Sequence, residues 1–200
     1  MAVFSEIWAV VLAAGESSRM KTPKLILPFR GRTIIENVIL NILDSDVKNV
    51  IVVTGAWEKE VIAAISDLPV KTCTNVNYRS GMLSSVICGL NSLPPGTAAA
   101  IVFQGDQPEI AAEVIDLLTA TWRKERKGII VPIHNGKRGH PLLISEKYFS
   151  EVALLDAGTG LRGLLSECSH DILEVEVENR MILRDIDTNE DYLESINIKH

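Results

Sequence analysis

The chain has 200 residues, of which 46% are hydrophobic and 23% are charged, and its formal net charge is −6. This length and composition are typical of a globular chain with a sizeable core, and we expect one domain spanning residues 1–200. The acidic balance excludes a broad cationic surface, so nucleic acid is not an expected partner.

The sequence also argues against a secreted or membrane-bound protein. Glu6 stands where a signal peptide would be basic, and the apolar run at 7–14 is too short to span a bilayer. The three cysteines are widely spaced and include no CxxC pair, which argues against a disulfide framework and against a zinc site. We therefore expect a cytoplasmic protein without a membrane partner.

Apolar runs of strand length alternate with amphipathic helical patterns along most of the chain. The strand-like runs are 7–13, 50–53, 70–73, 99–103, 129–133 and 172–177. The helical patterns are 33–43, 57–65, 83–93, 109–126, 146–155, 160–167 and 189–196. The alternation predicts an α/β fold of three layers, in which a doubly wound, mostly parallel sheet carries helices on both faces.

Two of the predicted helices have a recognisable start. Thr33 and Glu36 have the spacing of a capping box, and Thr188 and Asp191 repeat it near the end of the chain. The alternation loosens after about residue 129, so we expect a less regular arrangement of the sheet in the C-terminal third. In a doubly wound sheet, ligands bind beyond the carboxyl ends of the strands, which directs attention to the loops there.

The loop LAAGESSRMKTPK at 12–24 follows the first predicted strand. Its small residues, Ala13, Ala14 and Gly15, leave room for a nucleotide to approach the backbone, and Arg19 and Lys24 supply positive charge for phosphates. The loop matches neither GxGxxG nor GxxxxGK[ST], so a dehydrogenase and a P-loop NTPase lose their main sequence support. Taken alone, the loop is equally well explained as a turn with solvated charges.

Two acidic stretches follow predicted strands. In GDQP at 105–108, Asp106 stands at a strand's carboxyl end and suits Mg²⁺ bound together with substrate phosphates. In DIDT at 185–188, Asp185 and Asp187 share one face of an extended segment, so either could complete a metal site with Asp106. Taken alone, each stretch is better explained as a turn or a helix cap.

Two further loops carry polar groups. Ser80 and Gly81 precede a predicted helix, where they could present N–H groups to a ligand or form an N-cap by Ser80 and a turn by Gly81. In RGHP at 138–141, His140 could donate to a substrate phosphate or satisfy a backbone carbonyl in a turn. A metal-ligand role for His140 has little support in the sequence.

Taken in order, five stretches resemble the motifs of MobA-like nucleotidyltransferases, most closely those of the molybdenum cofactor cytidylyltransferase branch. They are LAAGESSRMKTPK at 12–24, SGMLSS at 80–85, GDQP at 105–108, GHP at 139–141 and DIDTNEDY at 185–192. The resemblance spans nearly the whole chain and implies a Rossmann-like nucleotidyltransferase fold. It also implies transfer of a nucleotide from an NTP to a phosphorylated acceptor with release of pyrophosphate. In this branch the donor is CTP and the acceptor is the terminal phosphate of molybdopterin bearing molybdenum.

The resemblance also assigns roles to individual residues. Arg19 and Lys24 would contact the triphosphate and act in catalysis with Asp106, which would bind Mg²⁺ together with Asp185 or Asp187. His140 would lie on the acceptor side. The residues that would hold the base and ribose or flank the nucleobase are Leu12, Ala13, Ala14, Gly15, Ser80, Gly81, Met82 and Ser85.

The branch and the acceptor are less closely specified than the transfer. Guanylyltransferases of this family typically read LAGG where this chain has LAAG, so Ala14 favours CTP. The chain departs from the family at Lys21, where a glycine is usual, and DAGTGLR at 156–162 matches the branch's GDxGAR motif only loosely. The alternatives are guanylylation of molybdopterin with GTP, transfer to a sugar or alditol phosphate, and a non-catalytic accessory protein that delivers the cofactor to a molybdenum hydroxylase.

Overall fold

The computed structural model describes residues 6–20 and 22–197, and Lys21 therefore lies outside the described residues. The strands are β1 (Glu6–Ala13), β2 (Pro28–Phe29), β3 (Arg32–Thr33), β4 (Asn49–Thr54), β5 (Lys71–Thr74), β6 (Thr97–Gln104), β7 (Ile129–His134), β8 (Lys137–Arg138), β9 (Leu142–Ser145) and β10 (Ile172–Glu176). The helices are α1 (Ile34–Asp44), α2 (Glu58–Ala64), α3 (Met82–Asn91), α4 (Ala112–Glu125), α5 (Phe149–Leu154), α6 (Leu161–Glu167) and α7 (Asn189–Asn197). Within these ranges, no helix is long and apolar enough to cross a membrane.

The central sheet has the order β10-β7-β9-β6-β1-β4-β5, and β8 pairs with β7. Strand β1 runs parallel to β4 and β6, β4 runs parallel to β5, and β7 runs parallel to β10. Strand β9 is antiparallel to both of its neighbours, β6 and β7. The predicted mostly parallel sheet is confirmed, as is the less regular C-terminal third.

Strand β9 is the main element that the sequence pattern did not predict. Its four residues, Leu142–Ser145, are all buried, so they show none of the apolar-polar alternation that marks a half-exposed strand. The segment 146–155 was also predicted as one helix, whereas the structure has a 3₁₀ turn at Glu146–Tyr148 followed by α5. Both differences lie in the irregular part of the sheet.

Helices cover the sheet on both faces, which gives the three predicted layers. Helices α1 and α4 pack on one face through buried residues such as Ile39 and Leu118. Helices α3, α5 and α6 pack on the other through Val86, Val152 and Leu164. Because both faces are apolar, the functional groups are left to the edge of the sheet.

The two predicted capping boxes are present. The backbone N–H of Thr33 donates to Glu36 Oε2 (2.7 Å), and Glu36 N–H donates to Thr33 Oγ1 (3.3 Å). Thr188 N–H donates to Asp191 Oδ2 (2.8 Å), and Asp191 N–H donates to Thr188 Oγ1 (3.1 Å). These bonds satisfy donors that a helix start would leave unpaired, so α1 and α7 begin where their sequences predict.

Candidate functional site

Most of the predicted site residues meet at the carboxyl edge of the parallel strands. The register pairs Leu12 with Val53 on one side and with Gln104 on the other, so β1, β4 and β6 end together. Beyond this edge lies a cavity of about 470 Å³. Of the sequence-predicted residues, it is lined by Leu12, Ala14, Gly15, Arg19, Lys24, Gly81, Met82, Ser85, Asp106 and Asp187.

An ion-pair cluster lies in this cavity. Lys24 Nζ donates to Asp106 Oδ2 (2.6 Å) and to Asp187 Oδ1 (2.8 Å), and the Lys24 side chain is only 13% exposed. Arg19 contacts the other oxygen of Asp187 from the solvent side. Three of the predicted loops are thus joined by charge, although they are far apart in the chain.

The cluster keeps Lys24 positively charged at neutral pH. Burial disfavours the charged ammonium, but the carboxylates of Asp106 and Asp187 outweigh burial and raise the pKa of Lys24 above its ordinary value. The hydrogen bond from Lys24 lowers the pKa of Asp187, against a smaller effect of burial. Lys24 is therefore a fixed positive charge in the cavity, suited to a phosphate ligand.

The carboxylate of Asp106 has one oxygen to spare. Burial raises the pKa of Asp106, and the charge of Lys24 opposes this rise while those of Asp185 and Asp187 add to it. Its Oδ1 is buried and has no hydrogen-bond partner among residues 6–20 and 22–197. A buried carboxylate oxygen left unpaired is costly, and a bound cation would satisfy it.

The surrounding acidic groups fit a metal ion that arrives with its own ligands. The Ile186 N–H donates to the Asp106 carbonyl (3.1 Å), which holds Asp185 and Asp187 beside Asp106; Asp187 lines the cavity and Asp185 does not. Within the described part of the chain, no group of three or more acidic, His or Cys side chains closes on one point. Mg²⁺ usually binds one or two carboxylates and completes its shell with water and substrate phosphates, so Asp106 and Asp187 are residues that could hold it.

A second cavity of about 710 Å³ adjoins the first, and the two share Met82 and Gln104. His140 lines the second cavity, and its buried Nδ1 has no hydrogen-bond partner in the part of the chain that the structure describes. Burial lowers the pKa of His140, against the charge of Asp185, so the ring is neutral at pH 7. The other lining residues are Leu83, Val86, Val131, Arg138, Gly139, Leu142, Ala157, Gly158, Thr159, Gly160, Leu161, Arg162, Leu165 and Ser166.

Two predicted nucleotide-binding residues lie away from both cavities. Successive strand residues point to opposite faces, so Leu12 and Ala14 reach the cavity while Ala13 is buried in the core under α1. Ser80 ends a 3₁₀ turn and lines neither cavity. The alternative role of Ser80 as an N-cap is wrong, because Gly81 is the N-cap of α3 and makes no side-chain bond; the turn at Gly81 is confirmed by its φ of +99°.

The sequence analysis missed several residues that line the first cavity. Arg79 Nε donates to Glu16 Oε1 (3.2 Å), which links the opening loop to the segment before α3. Tyr78 and Gln104 also line this cavity. Arg79 and Gln104 directly adjoin a predicted motif and Tyr78 lies two residues before one, but these residue types have no spacing pattern of their own that would indicate a contact across the site.

Comparison with known proteins decides the family. The model of the MobA-like NTP transferase domain matches residues 9–172. The chain belongs to this family. MobA-like relatives include the molybdenum cofactor cytidylyltransferase of Escherichia coli (strain K12), which is 32% identical over 190 residues, 94% of this chain and 95% of the relative. A probable molybdenum cofactor guanylyltransferase of Bacillus anthracis (strain CDC 684 / NRRL 3495) is 27% identical over 98% of this chain and 93% of the relative.

A solved structure extends the comparison to the fold. The crystal structure of the Mycobacterium tuberculosis H37Rv protein Rv0371C in complex with manganese superposes with a TM-score of 0.80 at 25% identity. The match covers 97% of this chain and 100% of that one. The expected Rossmann-like nucleotidyltransferase fold is confirmed, and the chain is a nucleotidyltransferase of the MobA-like family.

Proposed function

We propose that this chain transfers CMP from CTP to the terminal phosphate of molybdopterin or of the molybdenum cofactor and releases pyrophosphate. The observation that carries the proposal is the cluster of Lys24, Asp106 and Asp187 in the first of two adjoining cavities. Nucleotidyl transfer needs the attacking and leaving oxygens positioned in line and their charge stabilised, and little covalent help from the protein. Two neighbouring cavities, with the Lys24 ammonium in the first of them, suit that requirement.

In this proposal the first cavity takes the donor and the second takes the acceptor. The loop from Leu12 to Gly15 would lie against the base and ribose, and Arg19 and Lys24 would neutralise the triphosphate. His140 would contact the acceptor from the second cavity. No general base is needed, because a phosphate monoester has a second pKa of about 6 and is largely ionised at pH 7.

Asp106, together with Asp185 or Asp187, would hold one Mg²⁺. When bound, Mg²⁺ would neutralise charge on the phosphate oxygens. The unpaired oxygen of Asp106 supports a divalent ion at this edge, and the manganese complex of the M. tuberculosis protein shows that a protein of this fold binds a divalent ion. To identify the second ligand, Asp185→Asn is compared with Asp187→Asn. The variant that loses the ligand should need more Mg²⁺ to reach half-maximal rate. If neither variant needs more Mg²⁺, the second ligand lies elsewhere.

The choice of CTP rests on two observations. Ala14 stands where guanylyltransferases of the family typically have glycine, and the relative named as a cytidylyltransferase is more similar in sequence than the guanylyltransferase compared with it. GTP is the second candidate donor, because the relatives carry both names. A molybdenum hydroxylase in the cytoplasm is the proposed recipient of the product.

The test is pyrophosphate release with CTP, GTP and UTP, each with and without molybdopterin, and with a sugar phosphate in its place. We expect release with CTP and molybdopterin together. Release with GTP instead would establish the guanylyltransferase, and release with the sugar phosphate would replace the acceptor. Binding of CTP and Mg²⁺ without any release would indicate the accessory protein.

Two variants test the assigned residues. Lys24→Ala and Asp106→Ala should each lower kcat by at least about 100-fold, because each removes a charged group from the site of reaction. Lys147→Ala is the matched control: Lys147 pairs with Asp171 (2.6 Å) outside both cavities, so its loss should leave kcat unchanged. Full activity in either site variant would refute the assignment.

A further inference from the structure

We infer that Lys24 closes the carboxylate pair of Asp106 and Asp187 to free divalent cations, so that a metal ion enters the site only together with the nucleotide triphosphate. The inference rests on the proposed function, because it takes the nucleotide and its metal from there. It adds an order of binding that the family assignment does not contain.

The Lys24 ammonium occupies the space between the two carboxylates. The Lys24 ammonium lies 2.6 Å from an oxygen of Asp106 and 2.8 Å from an oxygen of Asp187. A divalent ion held by both carboxylates would have to enter the space that the ammonium fills, and the unpaired Oδ1 of Asp106 would by itself offer that ion only one protein ligand. The two cations therefore exclude each other from this position.

The positive charge of Lys24 also balances the negative charge of the acidic residues around it. Lys24 is the ion-pair partner of Asp106 among the described residues, whereas Asp187 also contacts Arg19. Loss of Lys24 would leave Asp106, with Asp185 and Asp187 nearby, and the ion-pair partner of these carboxylates that remains among the described residues is Arg19, whose side chain is 68% exposed. Such a concentration of negative charge attracts a free divalent ion, and Lys24 removes that attraction in the protein without nucleotide.

A bound nucleotide would draw the Lys24 ammonium away from the carboxylates. The Lys24 backbone N–H donates to Ser17 Oγ (3.3 Å), so the main chain is held while the four-carbon side chain can turn. Lys24 lines the first cavity, and a triphosphate there would offer new acceptors for its ammonium. As the ammonium moves to the phosphates, the oxygens of Asp106 become available to the metal that the phosphates carry.

The experiment measures binding of Mn²⁺ alone, by the loss of the free-ion signal in electron paramagnetic resonance, with no nucleotide present. The full-length Lys24→Met variant should bind Mn²⁺ at least about tenfold more tightly than the unchanged chain. Lys24→Arg, which keeps a cation between the carboxylates, should show no gain, and the double variant Lys24→Met with Asp106→Asn should lose it. Lys147→Met, which removes the same charge from an ion pair outside the site, is the matched control.

Circular dichroism melting establishes that each variant is folded, and Lys24→Gln replaces Lys24→Met if the latter is not. Mn²⁺ binding by the Lys24 variant no tighter than that of the unchanged chain would overturn the inference, as would an equal gain in Lys147→Met. Because this readout needs no turnover, it is separate from the proposed function. An unchanged chain that releases no pyrophosphate with any donor refutes the function, whereas unchanged Mn²⁺ binding in an active protein refutes only the role of Lys24.

Discussion

Substitution of Gly105 by alanine tests how closely the site depends on the packing of β1 against β6. The Gly105 N–H donates to the Leu12 carbonyl (3.0 Å), and a Cβ at position 105 would lie 2.7 Å from that oxygen. It would also lie 3.3 Å from Ile35 and 3.4 Å from Leu25. Because the nearest obstacle is backbone, a flexible side chain cannot absorb the strain by turning away.

The cost can be estimated from this geometry. Overpacking of this kind destabilises proteins by about 1 to 3 kcal/mol, and the hydrogen bond to Leu12 would be stretched as well. For Gly105→Ala we expect a loss of about 2 kcal/mol, which in a chain of this length lowers Tm by about 4 to 8 °C. Since Gly105 precedes Asp106 and touches Leu12, we also expect kcat for pyrophosphate release to fall by about tenfold or more.

Gly15→Ala is the matched control, because a Cβ at Gly15 would meet nothing within 4 Å. Its Tm should stay within about 2 °C of the unchanged chain. Gly15 lines the first cavity, however, so the added methyl group should raise KM for the nucleotide. The Tm values of the two variants are measured by differential scanning calorimetry. If Gly105→Ala and Gly15→Ala melt at the same temperature, the ends of β1 and β6 do not approach each other as closely as the structure indicates.

Three further predictions concern other positions. Ala14→Gly should raise the ratio of kcat/KM for GTP to that for CTP by about tenfold, since one methyl group in a pocket has an effect of that order, and an unchanged ratio would remove Ala14 from base selection. His140→Ala should raise KM for the acceptor and leave KM for CTP within about twofold; the reverse result would place His140 on the donor side. Burial opposes the charge of Asp171, but hydrogen bonds from Lys147 and Tyr148 lower its pKa from 3.8 to about 2. Asp171→Asn should therefore cost about 2 kcal/mol of unfolding free energy at pH 7, and in urea melts this difference should shrink as the pH falls from about 4 to about 2, whereas a constant difference would contradict the shift.

The local features of this protein could be predicted from its sequence because each depends on a few neighbouring residues. A short apolar run predicts a buried strand such as β1. Glu36 three residues after Thr33 predicts the capped start of α1. The loops at the carboxyl ends of the strands follow from the same alternation, since a parallel sheet brings those ends to one edge. The three layers and most members of the site were therefore predictable.

Relations between distant segments could not be predicted in this way. Strand β9 lies between β6 and β7, and nothing in its four buried residues indicates which neighbours it has. Ala13 lies in the core while Leu12 lines the cavity, and the sequence does not show which of the two neighbouring residues faces which way. Lys24 pairs with Asp106 across 82 residues and with Asp187 across 163, and Asp187 reaches the cavity while Asp185 does not.

The physical reason is the same in each case. The spacing of residues along the chain determines which segments form strands, helices and turns, because those interactions are local. The contacts of a charged side chain depend instead on the order of the strands and the path of the loops between them. The sequence alone thus determined that the polar loops after the strands gather at one edge of the sheet, and the tertiary structure decided that Lys24 lies between two carboxylates there.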